Sequence, residues 1–370
     1  MRIACRSHLR AVTNTMRVLI TGACGVTSRA VARSLRLSRK LSDLYLVGTD
    51  ICENPYGLYE RLFDKIYRVP RVSDPRYRAV VEGLCRDEHL EGAIVIPELE
   101  VLYWADAGFP IPVALPPARF CELAVSKRRL HETLQGTGLV PRFRICSRAE
   151  LANETSRVWQ SFPCWIRDFS EGSSSGKGSL LANMDEEIRA WVILNPGTSH
   201  FMLSEYLPGR NFACHLLYDR GEVVKIGSYE RTEYFKARTA VSGVTGNISK
   251  GRLVNDPRLG EASARAIASI LEQTGGTMHG IVAVDFREAK DSTPLITEIN
   301  LRHVAATYSF AAAGFNLAEA QLLLTLGRRE ELGPREAIYS TRNIILRDID
   351  GPPIWLEDYE ELSVGQCVIK

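Results

Sequence analysis

The sequence predicts an α/β chain in two parts. An N-terminal doubly wound parallel sheet is followed by a larger region of hairpin-linked strands and helices. Three observations predict it. Short apolar strands alternate with helix-period segments over residues 16–97, and that order implies parallel strands with helices on the sheet faces. After a cluster of prolines (Pro110, Pro112, Pro116 and Pro117) hairpin-type connections replace the alternation. The composition, 45% apolar and 24% charged over 370 residues, is that of a globular chain with material for a sizeable core.

Residues 16–22 read as a buried strand running into a glycine turn, and a helix follows with Ala30, Val31, Leu35 and Leu37 at near-helical spacing. A second strand at 44–48 ends at Thr49-Asp50, residues 76–89 read as a helix, and 92–97 as a third apolar strand. Beyond the prolines, Ser126 is placed to cap a helix over 127–135, which Gly136 and Gly138 terminate. A strand at 162–167 leads into a Gly/Ser loop, then a helix at 185–194 and a strand at 201–207 ending in Pro208-Gly209. Strands at 212–218 and 222–228 are joined by Asp219-Arg220-Gly221, a hairpin signal. Leu259, Ala262, Ala266, Ile270 and Gln273 stripe one face of a helix over 256–274. Strands at 280–287 and 295–301 and a helix near 316–326 complete the region. Residues 1–15 read as a flexible extension and 331–370 as a C-terminal strand-and-turn appendage.

Several classes are excluded or disfavoured. A formal charge of +2, from 46 basic and 44 acidic residues, gives no reason to expect a nucleic-acid or membrane-surface partner. No apolar run reaches membrane-spanning length, and the basic first 15 residues lack the apolar core of a secretion signal. Nine cysteines form no C-x-x-C pair, which points to reduced cytosolic thiols rather than a disulfide framework. Seven histidines without H-E-x-x-H speak against structural zinc.

The most informative stretch is Asp285 within Val-Ala-Val-Asp-Phe, followed by Glu298-Ile-Asn300-Leu-Arg302. Strand alternation puts Ile296, Glu298 and Asn300 on one side, with the two polar ligands about 7 Å apart. If residues 288–293 form an antiparallel connection, Asp285 presents a third oxygen from the neighbouring strand. Such a set suits a hard cation such as Mg²⁺, and Arg302 would meet a phosphate with a planar fork of donors. A Glu and an Asn at a strand end are often only solvated rim residues. A carboxylate inside an apolar strand is different, because burial would require a partner.

The loop 171–179, with Ser173, Ser174, Ser175 and Gly176, offers backbone N–H groups and hydroxyls to phosphate but lacks Walker A spacing. Residues 21–28 with Asp50 match a dinucleotide fingerprint only in part, and an ordinary strand-to-helix turn explains them as well. Arg231, Lys236 and Arg238 precede a Gly-rich loop at 243–251 that could close over an anionic ligand.

Taken in this order, the motifs over residues 16–330 resemble the ATP-grasp superfamily. They are most similar to the branch whose N-terminal domain is like that of carbamoyl-phosphate synthetase large subunits and pyrrolysine-pathway ligases. The resemblance implies a pre-ATP-grasp domain at 16–117 and a two-lobed α+β ATP-grasp domain at 118–330, with a lid lobe at about 140–204. Lys127 then matches the first cation on the ATP phosphates, and Arg167 the cation that ends the next strand. Ser173, Ser174, Ser175 and Gly176 fall in the phosphate-covering loop. Glu205, Tyr206 and Leu207 fall in the hinge that reads adenine. Asn211 stands where a Glu commonly holds the ribose hydroxyls, and Asp168 replaces the usual Pro. Asp285, Glu298 and Asn300 match the ligands of two Mg²⁺ ions, for which Mn²⁺ can substitute. Arg302 matches the residue at the transferred phosphoryl group, while Arg231 and Arg238 approach the γ-phosphate or the acid. The activity implied is an ATP-dependent, cytoplasmic carboxylate–amine ligase that forms an acyl phosphate from a small carboxylic acid and then an amide. Amino acids or short peptides are the expected substrates, and a homodimer stays open as the assembly. The rivals are phosphorylation of a carbonate- or carbamate-type acid on the same fold, and an NAD(P)-dependent oxidoreductase on the N-terminal domain. No Y-x-x-x-K pair is present to support the last.

Overall fold

A computed structural model describes residues 15–153, 159–169, 179–235, 247–348 and 361–369. The chain opens with β1 (Met16–Thr21), α1 (Val26–Arg36), β2 (Leu44–Asp50), β3 (Lys65–Arg68), α2 (Tyr77–Asp87), β4 (Gly92–Ile94) and α3 (Glu98–Ala107). β1, β2, β3 and β4 are parallel, with Val18 opposite Leu46 on one side and Gly92 on the other. Val18, Leu19 and Ile20 are all fully buried, because both faces of this sheet are covered. Leu19, Val47 and Ala93 pack with Tyr77, Val81 and Trp104, whereas Val18, Ile20 and Leu46 pack with Val31 and Leu35. The uninterrupted apolar runs in the sequence follow from that double burial.

After the prolines come α4 (Ala118–Val125) and α5 (Lys127–Leu134). The Ser126 hydroxyl accepts from the Arg129 N–H at 3.3 Å, which is the expected cap. Next are β5 (Phe143–Ser147), α6 (Arg148–Asn153), β6 (Cys164–Asp168), β7 (Ser179–Ala182), α7 (Asp185–Leu194) and β8 (His200–Glu205). These strands form an antiparallel sheet in the order β5-β8-β6-β7, and Ile166, Phe201 and Leu203 pack on Leu151, Ile188 and Val192.

The central sheet is built from β9 (Asn211–Asp219), β10 (Glu222–Tyr234), β11 (Ile248–Val254), then, after α8 (Pro257–Thr274), β12 (Gly280–Glu288) and β13 (Pro294–Asn300). α9 (Thr307–Ala312), α10 (Leu317–Thr325), β14 (Ile345–Leu346) and β15 (Cys367–Ile369) complete the chain. The order is β13-β12-β9-β10-β11-β14, antiparallel throughout. The β9–β10 connection is the predicted hairpin, with Arg220 and Gly221 both at positive φ, as a two-residue primed turn requires. β10 runs on to Tyr234 rather than ending at 228, and bulges near Glu233 bend its end. Phe212, Cys214, Val284 and Phe286 face Leu259, Ala266 and Ile270 of α8; Ala213, Leu217 and Ile281 face Phe310, Leu317 and Ala320. α10 bridges two sheets, since its Ala318, Leu322 and Leu323 pack on β1 and β4. The C-terminal residues also join both sheets: β14 pairs with β11, and β15 lies antiparallel on β3.

Candidate active site

The site is built on the half of the central sheet that α9 and α10 leave uncovered. Register places Asn211, Arg231, Asp285 and Arg287 on that face, because Arg231 and Arg287 both lie opposite Asn211 and Asp285 lies opposite Ala213. A cleft opens there, lined also by Lys127 and His131 from α5, Trp165, Arg167 and Asp168 from β6, and Met202, Ser204, Glu205 and Leu207.

The carboxylate pair is set by an irregularity that alternation alone does not reveal. Asp285 lies opposite Glu298, yet Phe286 lies opposite Ile296, so Thr297 is an extra residue bulged between them. The Thr297 hydroxyl donates to the Asp285 carbonyl at 3.3 Å within the bulge. The expectation that Ile296 shares a side with Glu298 is therefore corrected. Ile296 is fully buried among the residues facing α8, while Glu298 turns to the cleft beside Asp285. Asn300 pairs with Ala283, two positions from Asp285, and stays on the Glu298 side; it is 8% exposed and does not line the cleft.

Arg231 links these groups. Its Nη2 donates to Asp285 Oδ1 at 2.6 Å, its Nη1 to Asn211 Oδ1 at 3.3 Å and its Nε to the Tyr229 hydroxyl at 3.1 Å. Burial opposes its charge, but Asp285 and the tyrosines outweigh that and hold its pKa well above the ordinary value. The Asn211 amide donates in turn to the Tyr234 hydroxyl at 2.6 Å, so both ends of the residue expected at ribose hydroxyls are engaged by neighbours. Glu205 is held by Arg142, through the backbone N–H at 2.8 Å and Nε at 3.0 Å, and the Leu207 carbonyl accepts from Arg287 at 3.1 Å. Tyr206 does not line the cleft.

On the opposite wall Arg167 lies with its guanidinium 5.8 Å from the Trp165 ring. Burial lowers its pKa, with Glu298 pulling the other way, and its Nε is sealed from solvent without a hydrogen-bond partner among the described residues. An orphaned guanidinium N–H on a cleft wall fits an anionic ligand, and the facing carboxylates fit a cation, so the residues present suit a metal–phosphate pair. The His131 ring bonds the Lys127 carbonyl through Nδ1 at 2.8 Å; a carbonyl only accepts, so Nδ1 carries the proton and Nε2 is left as an acceptor. Burial pushes its pKa down to about 4, which keeps the ring neutral.

Arg302 does not line the cleft; its Nη1 donates to the His303 carbonyl at 3.0 Å. Both Arg302 and Glu298 act on Glu98, at the start of α3, whose pKa is raised by burial and by Glu298 while Arg302 and Lys127 oppose the rise. Glu98 thus lies within electrostatic reach of Glu298, Arg302 and Lys127. Ser173, Ser174, Ser175, Gly176 and Arg238 lie outside the described residues. The sequence reading missed His131, Trp165, Tyr234, Arg287 and Glu98. Three of them carried a signal, since His131 is four residues from Lys127 on a helix, and Trp165 and Arg287 are two from Arg167 and Asp285 on strands.

No family model matches the sequence, and no curated protein matches it. Solved structures do match in fold. An L-amino acid ligase from Bacillus licheniformis aligns over 86% of this chain and 77% of its own, at 16% identity and a TM-score of 0.62. A phosphoribosylamine–glycine ligase from Thermotoga maritima aligns over 87% and 78%, at 17% identity and 0.62. An N5-carboxyaminoimidazole synthase from Aspergillus clavatus, in complex with ADP and 5-aminoimidazole ribonucleotide, aligns over 91% and 83%, at 15% identity and 0.63. The architecture common to them and to this chain is an ATP-grasp fold preceded by a parallel-sheet unit.

Proposed function

We propose that the protein is an ATP-dependent carboxylate–amine ligase releasing ADP and phosphate. The observation that carries the reading is the Asp285–Glu298 pair, set face to face across two strands in a cleft whose other walls present Lys127, Arg167 and Arg231. A carboxylate is a poor electrophile, so amide formation in water needs a leaving group, and the γ-phosphoryl group of ATP supplies one as an acyl phosphate. Such a transfer asks the protein for positioning and charge neutralisation rather than for a covalent nucleophile. Asp285, Glu298 and Asn300 would hold Mg²⁺, whose chemistry here is neutralisation of phosphate charge. Lys127 and Arg167 bind the phosphates, Arg231 approaches the γ-phosphate or the acid, and Arg302, outside the cleft lining with its Nη1 on the His303 carbonyl, would meet the transferred group by turning its guanidinium inward. The 205–207 hinge and Asn211 orient the nucleoside. Neighbours solved with ADP support nucleotide binding, and the amino-acid ligase among them supports amino-acid or short-peptide substrates.

The test is Mg²⁺-dependent ADP release, screened against pools of amino acids and small carboxylic acids with and without amines. Release that requires both an acid and an amine is the expected outcome. Release that needs only bicarbonate would reassign the enzyme to carbonate phosphorylation, and a nicotinamide-dependent absorbance change would overturn the reading.

A further inference from the structure

A second cluster lies at the C-terminal edge of the first sheet, on residues that take no part in lining the cleft. Asp50, the last residue of β2, accepts from the Cys24 N–H at 2.8 Å through Oδ2 and from the Cys52 N–H at 2.9 Å through Oδ1. One carboxylate thereby fixes the backbones of two cysteines that are distant in sequence. It also leaves Asp50 engaged within the chain, where a dinucleotide fold would offer it to a ribose. The two sulfurs and a carboxylate oxygen lie within 4.8 Å of one another. The Asn54 carbonyl stands 3.7 Å from the Cys24 sulfur.

The frame around them is tight. A Cβ at Gly48 would come within 2.6 Å of the Ala23 Cβ, and one at Gly57 within 3.0 Å of the Ala23 carbonyl oxygen. The turn bearing Cys24 is therefore packed in place rather than free to drift. Both thiols are kept protonated by burial and by the Asp50 charge, that of Cys24 up to about 12, with Arg68 only a minor opposing influence on Cys52. Three groups able to carry negative charge converge, and Asp50 forms no ion pair among the described residues.

We propose that Cys24, Cys52 and Asp50 bind one borderline-soft divalent cation of the zinc type, with a fourth position beside the Asn54 carbonyl. Tetrahedral zinc, with bonds of about 2.3 Å to sulfur and 2.1 Å to oxygen, sets ligand atoms about 3.5–3.8 Å apart. Closing the observed cluster onto an ion asks for shifts of about 1 Å. Thiolates and the absence of a hard-oxygen shell disfavour Mg²⁺. Two S–H bonds break as two metal–sulfur bonds form, and both protons pass to solvent, so affinity rises with pH. The ion would staple the β1–α1 turn to the segment after β2. No C-x-x-C signal announces it, because the ligands meet only through the parallel pairing of β1 and β2.

The site is independent of the ligase reading and is tested separately. The reduced full-length chain, stripped with chelator, is titrated with Co²⁺ without oxygen and then with Zn²⁺. The expected result is a thiolate-to-cobalt charge-transfer band saturating at one equivalent with release of two protons, then displaced by one Zn²⁺ with no further proton release. Cys24→Ser and Cys52→Ser should each abolish that band, and Cys85→Ser should keep it. Circular dichroism of the variants checks that they fold. Absence of a thiolate band at one equivalent, cobalt uptake without proton release, or a band that survives in the Cys24→Ser/Cys52→Ser double variant would each overturn the proposal.

Discussion

Asp285 has two claims on it. It neutralises Arg231 at 2.6 Å, and in the proposed reaction it ligates a cation beside Glu298. Glu298 has no ion pair among the described residues, so its substitution probes the metal with the least disturbance elsewhere. Glu298→Ala is expected to lower ADP release by about 100-fold or more, with an unchanged circular dichroism spectrum. Full activity in that variant would remove the metal assignment. Arg302→Ala should lower turnover by a similar factor while ATP affinity stays close to wild type, as measured by titration calorimetry. The reverse split, weak binding with an intact rate, would give Arg302 a ground-state role. Residue types such as Asp285 within an apolar strand were legible in the sequence, because a buried carboxylate demands a partner. That the partner is Arg231 was not, since the two meet across β9 only in the folded sheet.

At the level of elements, most strands and helices follow from local pattern. Helix α8 starts one residue later than the periodicity suggests, with Asp256 as its cap rather than its first residue, and helix α7 matches in full. Strands β3, β5, β7 and β11 escaped notice, being short or weakly alternating, and so did helices α3 and α4, whose apolar residues face more than one neighbour. The bulge at Thr297 is the instructive error. Period-2 reading carries an unbroken register along β13, whereas one inserted residue reverses the side of everything before it. A second tight feature is the Pro208-Gly209 turn between β8 and β9. A Cβ at Gly209 would meet the Glu288 Cβ at 2.5 Å and its carbonyl oxygen at 2.8 Å, beside the Arg210–Glu288 ion pair. Gly209→Ala is therefore expected to cost about 1–3 kcal/mol in urea unfolding. A variant as stable as wild type would show that the turn yields easily.

For the molecule as a whole, buried imidazoles set the acid limit of stability. Burial lowers His131 and His303 to about 4 and His215 to about 3, from an ordinary value of 6.5. Between pH 6.5 and about 4 the unfolded chain binds protons that the folded chain refuses, so stability is full above 6.5 and falls as the pH drops. Glu100 works the other way. Burial raises it to about 7, so its contribution is present below 4.5 and is lost as the pH rises through about 7. Four histidines held low, His279 among them, against two glutamates held high, Glu98 and Glu100, predict a net loss of Tm between pH 7 and pH 5. His215, fully buried with its ring 5.1 Å from that of Phe310, is the cleanest probe. His215→Phe should make the loss between pH 7 and pH 5 smaller than in wild type. An equal loss would place the acid sensitivity elsewhere.

The sequence by itself determined the fold class, the hairpin at 219–222, the cap of α5, and the residue types of the site. Those are local properties, fixed by periodicity, turn chemistry and the cost of burying charge. Tertiary structure decided which of those residues meet. It set Glu298 opposite Asp285 through a bulge, drew Arg231 and Asn211 into the same network, and brought Cys24 and Cys52 to one carboxylate. Pairings between distant strands depend on register, and register is a property of the assembled sheet rather than of any one segment.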